Sequence, residues 1–144
     1  MPELAKKRPE FRNINAFRDL TTYRFPAPAI VSILHRISGV LMFVLLPFII
    51  WLFDTSLSSE ISFGRFRAAF GTGIGFVPGV LVKLVALALI WAYLHHFMAG
   101  LRHVWMDVSH AAVSKEWGGK SAKTVLVASL LLTVVLGAKL FGLY

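Results

Sequence analysis

Cysteine is absent from this 144-residue chain. That absence excludes disulfides, thiolate-held metal clusters and thioether-attached cofactors, and it leaves histidine as the natural ligand for any metal. Charge is scarce as well. Only 15% of the residues are charged, where an ordinary soluble domain carries about a quarter. Acidic residues are the scarcest, 7 against 15 Lys and Arg, so the formal net charge is +8. The N-terminus lacks the short apolar core and small-residue cleavage site of a secretory signal peptide, so Met1 onward is expected to be mature sequence. Its acidic residues and early prolines also argue against a mitochondrial transit peptide. The chain has no internal repeat and no low-complexity tract.

Apolar residues fill the space that charge leaves. They make up 57% of the chain, and the mean hydropathy is +0.71. They come in blocks long enough to cross a bilayer, which takes roughly 20 residues of helix. A net charge of this size in a soluble chain would raise nucleic acid as a partner. Here the basic residues collect in segments flanking apolar blocks, as topology in a membrane requires, so the expected partner is the lipid bilayer and not nucleic acid.

The spacing predicts an all-α membrane protein with three transmembrane helices. Residues 1–28 form a polar, basic N-terminal segment, with Lys6, Lys7, Arg8, Arg12, Arg18 and Arg24 against Glu3, Glu10 and Asp19. Pro9, Pro26 and Pro28 make a continuous helix there unfavourable. A single membrane domain follows over 29–144, with spans near 29–53, 77–106 and 123–144. Pro47 predicts a kink in the first span, of the kind lipid-embedded helices tolerate. Residues 54–76 are expected to be a charge-balanced loop ending in Gly71, Gly73 and Gly75. Residues 107–122 are expected to be a second connection, and Lys139 can snorkel to the headgroups from the last span. The two Lys- and Arg-rich segments belong in the cytoplasm, which puts the C-terminus on the opposite side of the membrane.

Ionisable side chains inside a span are costly and face a protein interior or a polar site. The densest such stretch runs from Tyr93 to Asp107, YLHHFMAGLRHVWMD. His96 and His103 are two helical turns apart, so they share a face, about 10 Å from one another along the axis. Gly100 lies on that face between them and lets a large flat ring approach the backbone. Two imidazoles pointing the same way cannot grip opposite faces of one haem, so this helix offers one ligand and a second helix must offer the other. His96, deeper in the span, is the better ligand candidate. His103, beside Arg102, suits a haem propionate, and His95 points about 100° away. The alternative is that these histidines pack and hydrogen-bond without binding a metal. Asp107, at the end of the span, reads either as the ion-pair partner of a nearby arginine or as part of a water path for protons.

A second polar stretch opens the first span: Ser32-Ile-Leu-His-Arg-Ile-Ser-Gly39. Ser32, His35 and Arg36 stand at i, i+3 and i+4 and so form one face. A hydroxyl beside a guanidinium can grip a quinone carbonyl and stabilise the negative charge that develops on reduction. Equally, Arg36 can be a topology anchor and Ser32 a helix cap. An entering first helix and a returning second helix would set Arg36 at the depth of Arg102 and His103, in one basic cluster.

Arg8-Pro9, Arg24-Phe-Pro26 and Ser32 through Gly39, followed by His96 through Gly100, Arg102, His103 and Asp107, resemble the two signatures of the succinate dehydrogenase cytochrome b subunits. The resemblance implies a subunit of succinate:quinone oxidoreductase that is not catalytic alone, packed with a second small membrane-anchor subunit in a heteromeric helical bundle. It implies docking to an iron–sulfur subunit and a flavoprotein subunit, at a bacterial cytoplasmic membrane. It further implies haem b with His96 as axial ligand to the iron and the second axial ligand from the partner anchor. His35, Arg36 and His103 are then the propionate-binding candidates, and Ser32 and Arg36 the binding residues for ubiquinone or a related quinone. The other reading is a haem-free anchor for soluble dehydrogenase subunits. The 54–76 segment matches no motif of the family.

Overall fold

In lipid a backbone has no water to bond, so each apolar run pairs its own N–H and C=O groups within a helix. A computed structural model describes residues 13–144 in that form; the first twelve positions, Arg8 and Pro9 among them, lie outside the described residues. The elements are α1 (Ala16–Thr22), α2 (Ala27–Val44), α3 (Leu46–Leu57), α4 (Glu60–Gly71), β1 (Gly73–Ile74), β2 (Val77–Pro78), α5 (Gly79–Val108) and α6 (Lys115–Leu140), with a 3-10 turn at His110–Val113. Three of them, α2, α5 and α6, are long and apolar enough to cross a membrane.

The 29–53 stretch is two helices. Pro47 has no N–H to donate and its ring crowds the preceding turn, so the helical ladder breaks at Leu45 and restarts as α3. Beyond the break α3 packs on α4 and makes no close backbone approach to α5. The splay leaves an apolar groove of about 460 Å³ among Met42, Ile49, Leu52, Leu89 and Ile90.

The expected 54–76 loop is mostly ordered helix. Ser59 caps α4 and exchanges hydrogen bonds with Ser62, a capping box that starts the helix outright. Phe63, Phe66 and Phe70 then stack along it, at ring separations of 5.8 and 5.2 Å. A two-residue hairpin, Ile74 opposite Val77, closes the connection. Its reversal uses positive φ at Gly73 and Gly75, where glycine avoids strain. The second connection is shorter than expected, because α6 starts at Lys115 under a Ser114 cap. Gly118 and Gly119 lie inside that helix. At Gly118 the backbone is held from outside, its carbonyl accepting from the Arg102 guanidinium at 3.3 Å.

Helix α5 is the centre of the bundle, packing on α2 along one side and on α6 along the other, while α2 and α6 also touch. Small residues make this possible. Ala92 and Ala99 of α5 are fully buried, and Ala122, Val125, Ser129, Thr133 and Gly137 form one buried stripe along α6. Without a hydrophobic drive between helices in lipid, close packing of small side chains is what holds them. Val31, Ala99, Ala122 and Val125 form the core where the start of α2 meets the end of α5 and the start of α6. The bulky side chains point outward, as with Phe43, Phe53 and Val134.

Gly79 sits where the hairpin turns into α5, and a Cβ there would collide with the Gly71 backbone of α4. Gly79→Ala should therefore cost about 1–3 kcal/mol by overpacking, read as a lower thermal midpoint of the purified complex. Gly64→Ala, which meets nothing within 4 Å, should leave the midpoint unchanged or raise it. Equal melting of the two variants would mean that the α4–α5 approach carries no stability.

Candidate functional site

Helix α5 carries adjacent histidines that must face different neighbours, since successive residues on a helix point about 100° apart. His96 faces α2. Its ring centroid lies 4.1 Å from that of His35, and His35 lies 5.3 Å from His103. The three rings form one column between α2 and α5. Gly39 and Gly100 flank it: a Cβ on Gly39 would press on His96 Cε1 at 3.0 Å, and one on Gly100 would reach His35 Nε2 at 4.0 Å.

The His96 hydrogen bond determines its tautomer. Nδ1 lies 3.0 Å from the His35 backbone oxygen. A carbonyl can only accept, so Nδ1 carries the proton and Nε2 keeps a free lone pair. Ser38, fully buried on α2, donates to the same oxygen at 2.8 Å and lies 3.3 Å from Nδ1. A histidine whose Nδ1–H is held by a carbonyl is oriented for ligation through Nε2.

His95 points out of the column, towards the seam where α6 meets α2. It is fully buried against α6, with Nδ1 3.2 Å from Ser129 Oγ and its ring stacked on Trp91 at 5.5 Å. Its Nε2 has no hydrogen-bond partner among the described residues. Ser129 is a lone polar residue in the apolar run from Val125 to Leu132, which was the signal in the sequence for this contact.

The other expected site residues divide. Ser32 is half-buried and Arg36 exposed, one turn apart at the same end of the bundle, and neither hydrogen-bonds within the described residues. Arg102 does not join them. It turns to α6, where Nε donates to Ser121 Oγ at 3.0 Å, so the single basic cluster expected from depth is split between two sides of α5. The physical reason is phase: Arg102 and His103 are consecutive and cannot share a face. Asp107 is exposed and forms no ion pair among the described residues, where the one such pair is Lys120–Glu116 at 2.7 Å. No cluster of three or more His, Asp or Glu side chains among the described residues forms a metal cage. Any metal held at His96 must complete its coordination from outside this set.

Residues 6–136 match the model of the succinate dehydrogenase/fumarate reductase transmembrane subunit. The chain belongs to this family. Among its relatives, the succinate dehydrogenase cytochrome b556 subunit of Coxiella burnetii is 34% identical over 119 residues, covering 83% of this chain and 90% of that protein. The subunits of the same name from Paracoccus denitrificans and Rickettsia felis are 28% and 25% identical, over 81% of this chain in each case and 83% and 85% of theirs. As a succinate dehydrogenase/fumarate reductase transmembrane subunit, the chain works as one part of an oxidoreductase complex, and α2, α5 and α6 are its membrane helices.

Within this transmembrane subunit the His95–Ser129 bond is the fully buried polar tie between α5 and α6, beside the half-buried Arg102 bonds, and its strength is measurable. Ser129→Ala should destabilise the folded subunit by about 0.6–2 kcal/mol, the range for hydrogen bonds between membrane helices. In a His95→Leu background the same change should cost close to nothing. A denaturation cycle in bicelles that gave equal costs in both backgrounds would remove the bond from the account.

Proposed function

We propose that this chain is the cytochrome b anchor of a succinate dehydrogenase, holding haem b through His96 and lending Ser32 and Arg36 to a quinone-reduction site. The observation that carries the reading is the His96 tautomer. Its Nδ1–H is committed to the His35 carbonyl, so Nε2 is the ligating nitrogen, and Gly39 spares the His96 ring a Cβ contact at 3.0 Å. The relatives support it in being cytochrome b556 subunits by name.

Bound haem b supplies a one-electron redox centre beside the quinone. The residues of the chain hold and orient. His35 and His103, stacked in the same column, and Arg36 at its edge offer the cationic and N–H groups that propionates need. Both histidines lie on the His96 side, so His96 is the residue of this chain that would hold the haem iron, and a further ligand would have to come from the second small anchor subunit. Arg36 and Ser32 donate hydrogen bonds to a ubiquinone carbonyl, stabilising the charge that grows on its oxygen during reduction. Two protons must reach that quinone from water, and in this reading Asp107, exposed at the same end of the bundle, relays them. Electrons arrive through the flavoprotein and iron–sulfur subunits docked at this end. Its Lys and Arg content puts it in the cytoplasm, with the N-terminus inside, the C-terminus in the periplasm, and the bacterial inner membrane between.

His96→Leu should abolish the low-spin haem spectrum of the assembled complex. Gly39→Ala should keep haem but shift its bands and reduction potential, because the added Cβ presses on the ligand ring at 3.0 Å. A wild-type complex without haem bands on reduction would overturn the cofactor assignment and leave an anchor that only docks soluble subunits.

The quinone residues call for a comparison of two acceptors. Ser32→Ala and Arg36→Leu should each slow quinone reduction at least about tenfold, the loss of a hydrogen bond to a charged group. Succinate oxidation with a soluble artificial acceptor should persist in both. Unimpaired quinone reduction in both variants would remove the site, and parallel loss in both assays would signal failed assembly.

A further inference from the structure

Where α5 ends and α6 begins, a groove of about 520 Å³ opens between the two helices on the side away from the histidine column. Its walls are Leu101, Val104 and Trp105 of α5 and Trp117, Thr124 and Val125 of α6. Arg102 lies in it, half-buried, with Nε on Ser121 Oγ at 3.0 Å and Nη2 on the Gly118 carbonyl at 3.3 Å. Those two bonds pin the guanidinium and leave three of its five N–H groups without a partner among the described residues.

A pinned, half-buried cation within a spanning helix needs an anion, and no described carboxylate provides one. Glu116 is engaged by Lys120 at 2.7 Å, and Asp107 is exposed and does not line the groove. Trp105 and Trp117 flank the opening, 59% and 56% exposed. Paired indoles of that kind mark the headgroup level of a membrane. The remaining wall is aliphatic and faces the hydrocarbon. Lys115 and Lys123, nearby on α6, add positive potential that concentrates anionic lipid.

We propose that this groove binds one anionic phospholipid. Its phosphate lies on the free donors of Arg102, the Thr124 hydroxyl lies beside the ester region, and one acyl chain lies along Leu101 and Val104. A partner helix would suit the aliphatic wall but would bury the guanidinium without a counter-charge; a phosphate satisfies both parts of the groove. The proposal needs only a membrane subunit and does not depend on the haem or quinone assignments.

The test is lipid retention by the assembled complex, purified in mild detergent, washed, and assayed by native mass spectrometry in the presence of phosphatidylglycerol or phosphatidylcholine. Wild type should hold phosphatidylglycerol at least about tenfold better than phosphatidylcholine, as a charge-assisted hydrogen-bonded contact requires. Arg102→Gln should erase the preference, and Arg102→Lys should keep part of it. Thr124→Phe should reduce retention of both lipids by filling the groove while leaving the Arg102 bonds in place. If Arg102→Gln does not assemble, the lysine and phenylalanine variants decide. Equal retention of the two lipids by wild type, no effect of Thr124→Phe, or cross-linking from position 104 to another subunit in place of lipid would overturn the proposal.

Discussion

The adjacency of His95 and His96 is the constraint on which the bundle depends. Consecutive residues on a helix diverge by about 100°, and neither imidazole can be left without hydrogen bonds in hydrocarbon except at a cost. One neighbour cannot serve both. His95 reaches Ser129 on α6 and His96 reaches the His35 carbonyl on α2, so α5 must lie between the other two spans in a fixed rotation. A turn of α5 by one residue position would exchange the two rings and break both bonds. Rotation of α5 in turn sets where everything else points: His103 into the column with His35, and Arg102 out towards α6.

The packing follows from the same demand. Hydrogen bonds of about 3 Å between helices require backbones that approach closely, and only small side chains permit that. Ala92 and Ala99 on α5, Gly39 on α2, and Ala122 and Gly137 on α6 do this work at successive levels. The result inverts a soluble bundle, with small residues inside and bulky Phe, Leu and Val outside. At Gly137 a Cβ would meet Leu87 Cδ1 at 2.7 Å, so the end of that leucine would have to move.

Much of this was legible in the sequence, for identifiable reasons. Three apolar blocks could only be spans, and Pro47 marked the break in the first because proline removes a donor wherever it stands. The shared face of His96, Gly100 and His103 was pure periodicity. What could not be read was partner choice. Nothing local says that the His35 backbone oxygen, and not a side chain, orients His96, because that contact joins positions far apart in the chain. Depth arguments put Arg36 and Arg102 in one cluster, but depth gives one coordinate and the rotation of α5 supplies another. Helix α4 was legible and missed: Ser59 and Ser62 form a capping box, and Phe63, Phe66 and Phe70 repeat at helical spacing, yet the flanking charges and glycines read as loop.

In the proposed readings, the two sides of α5 let one short chain hold two kinds of ligand without conflict. On the α2 side the column of His96, His35 and His103 ends near Ser32 and Arg36. On the α6 side Arg102 is tied into the start of the next helix through Ser121 and Gly118. Had Arg102 faced the column, its charge would stand beside His96 and disfavour any further positive charge there, including that of a ligated iron. Directing it to α6 separates the two charges by the thickness of a helix. The same bond ties the first turns of α6 to α5 without drawing on the groups the column uses. In the proposed reading, the face that holds the cofactor keeps Arg36 at the edge where propionates and quinone oxygens need it.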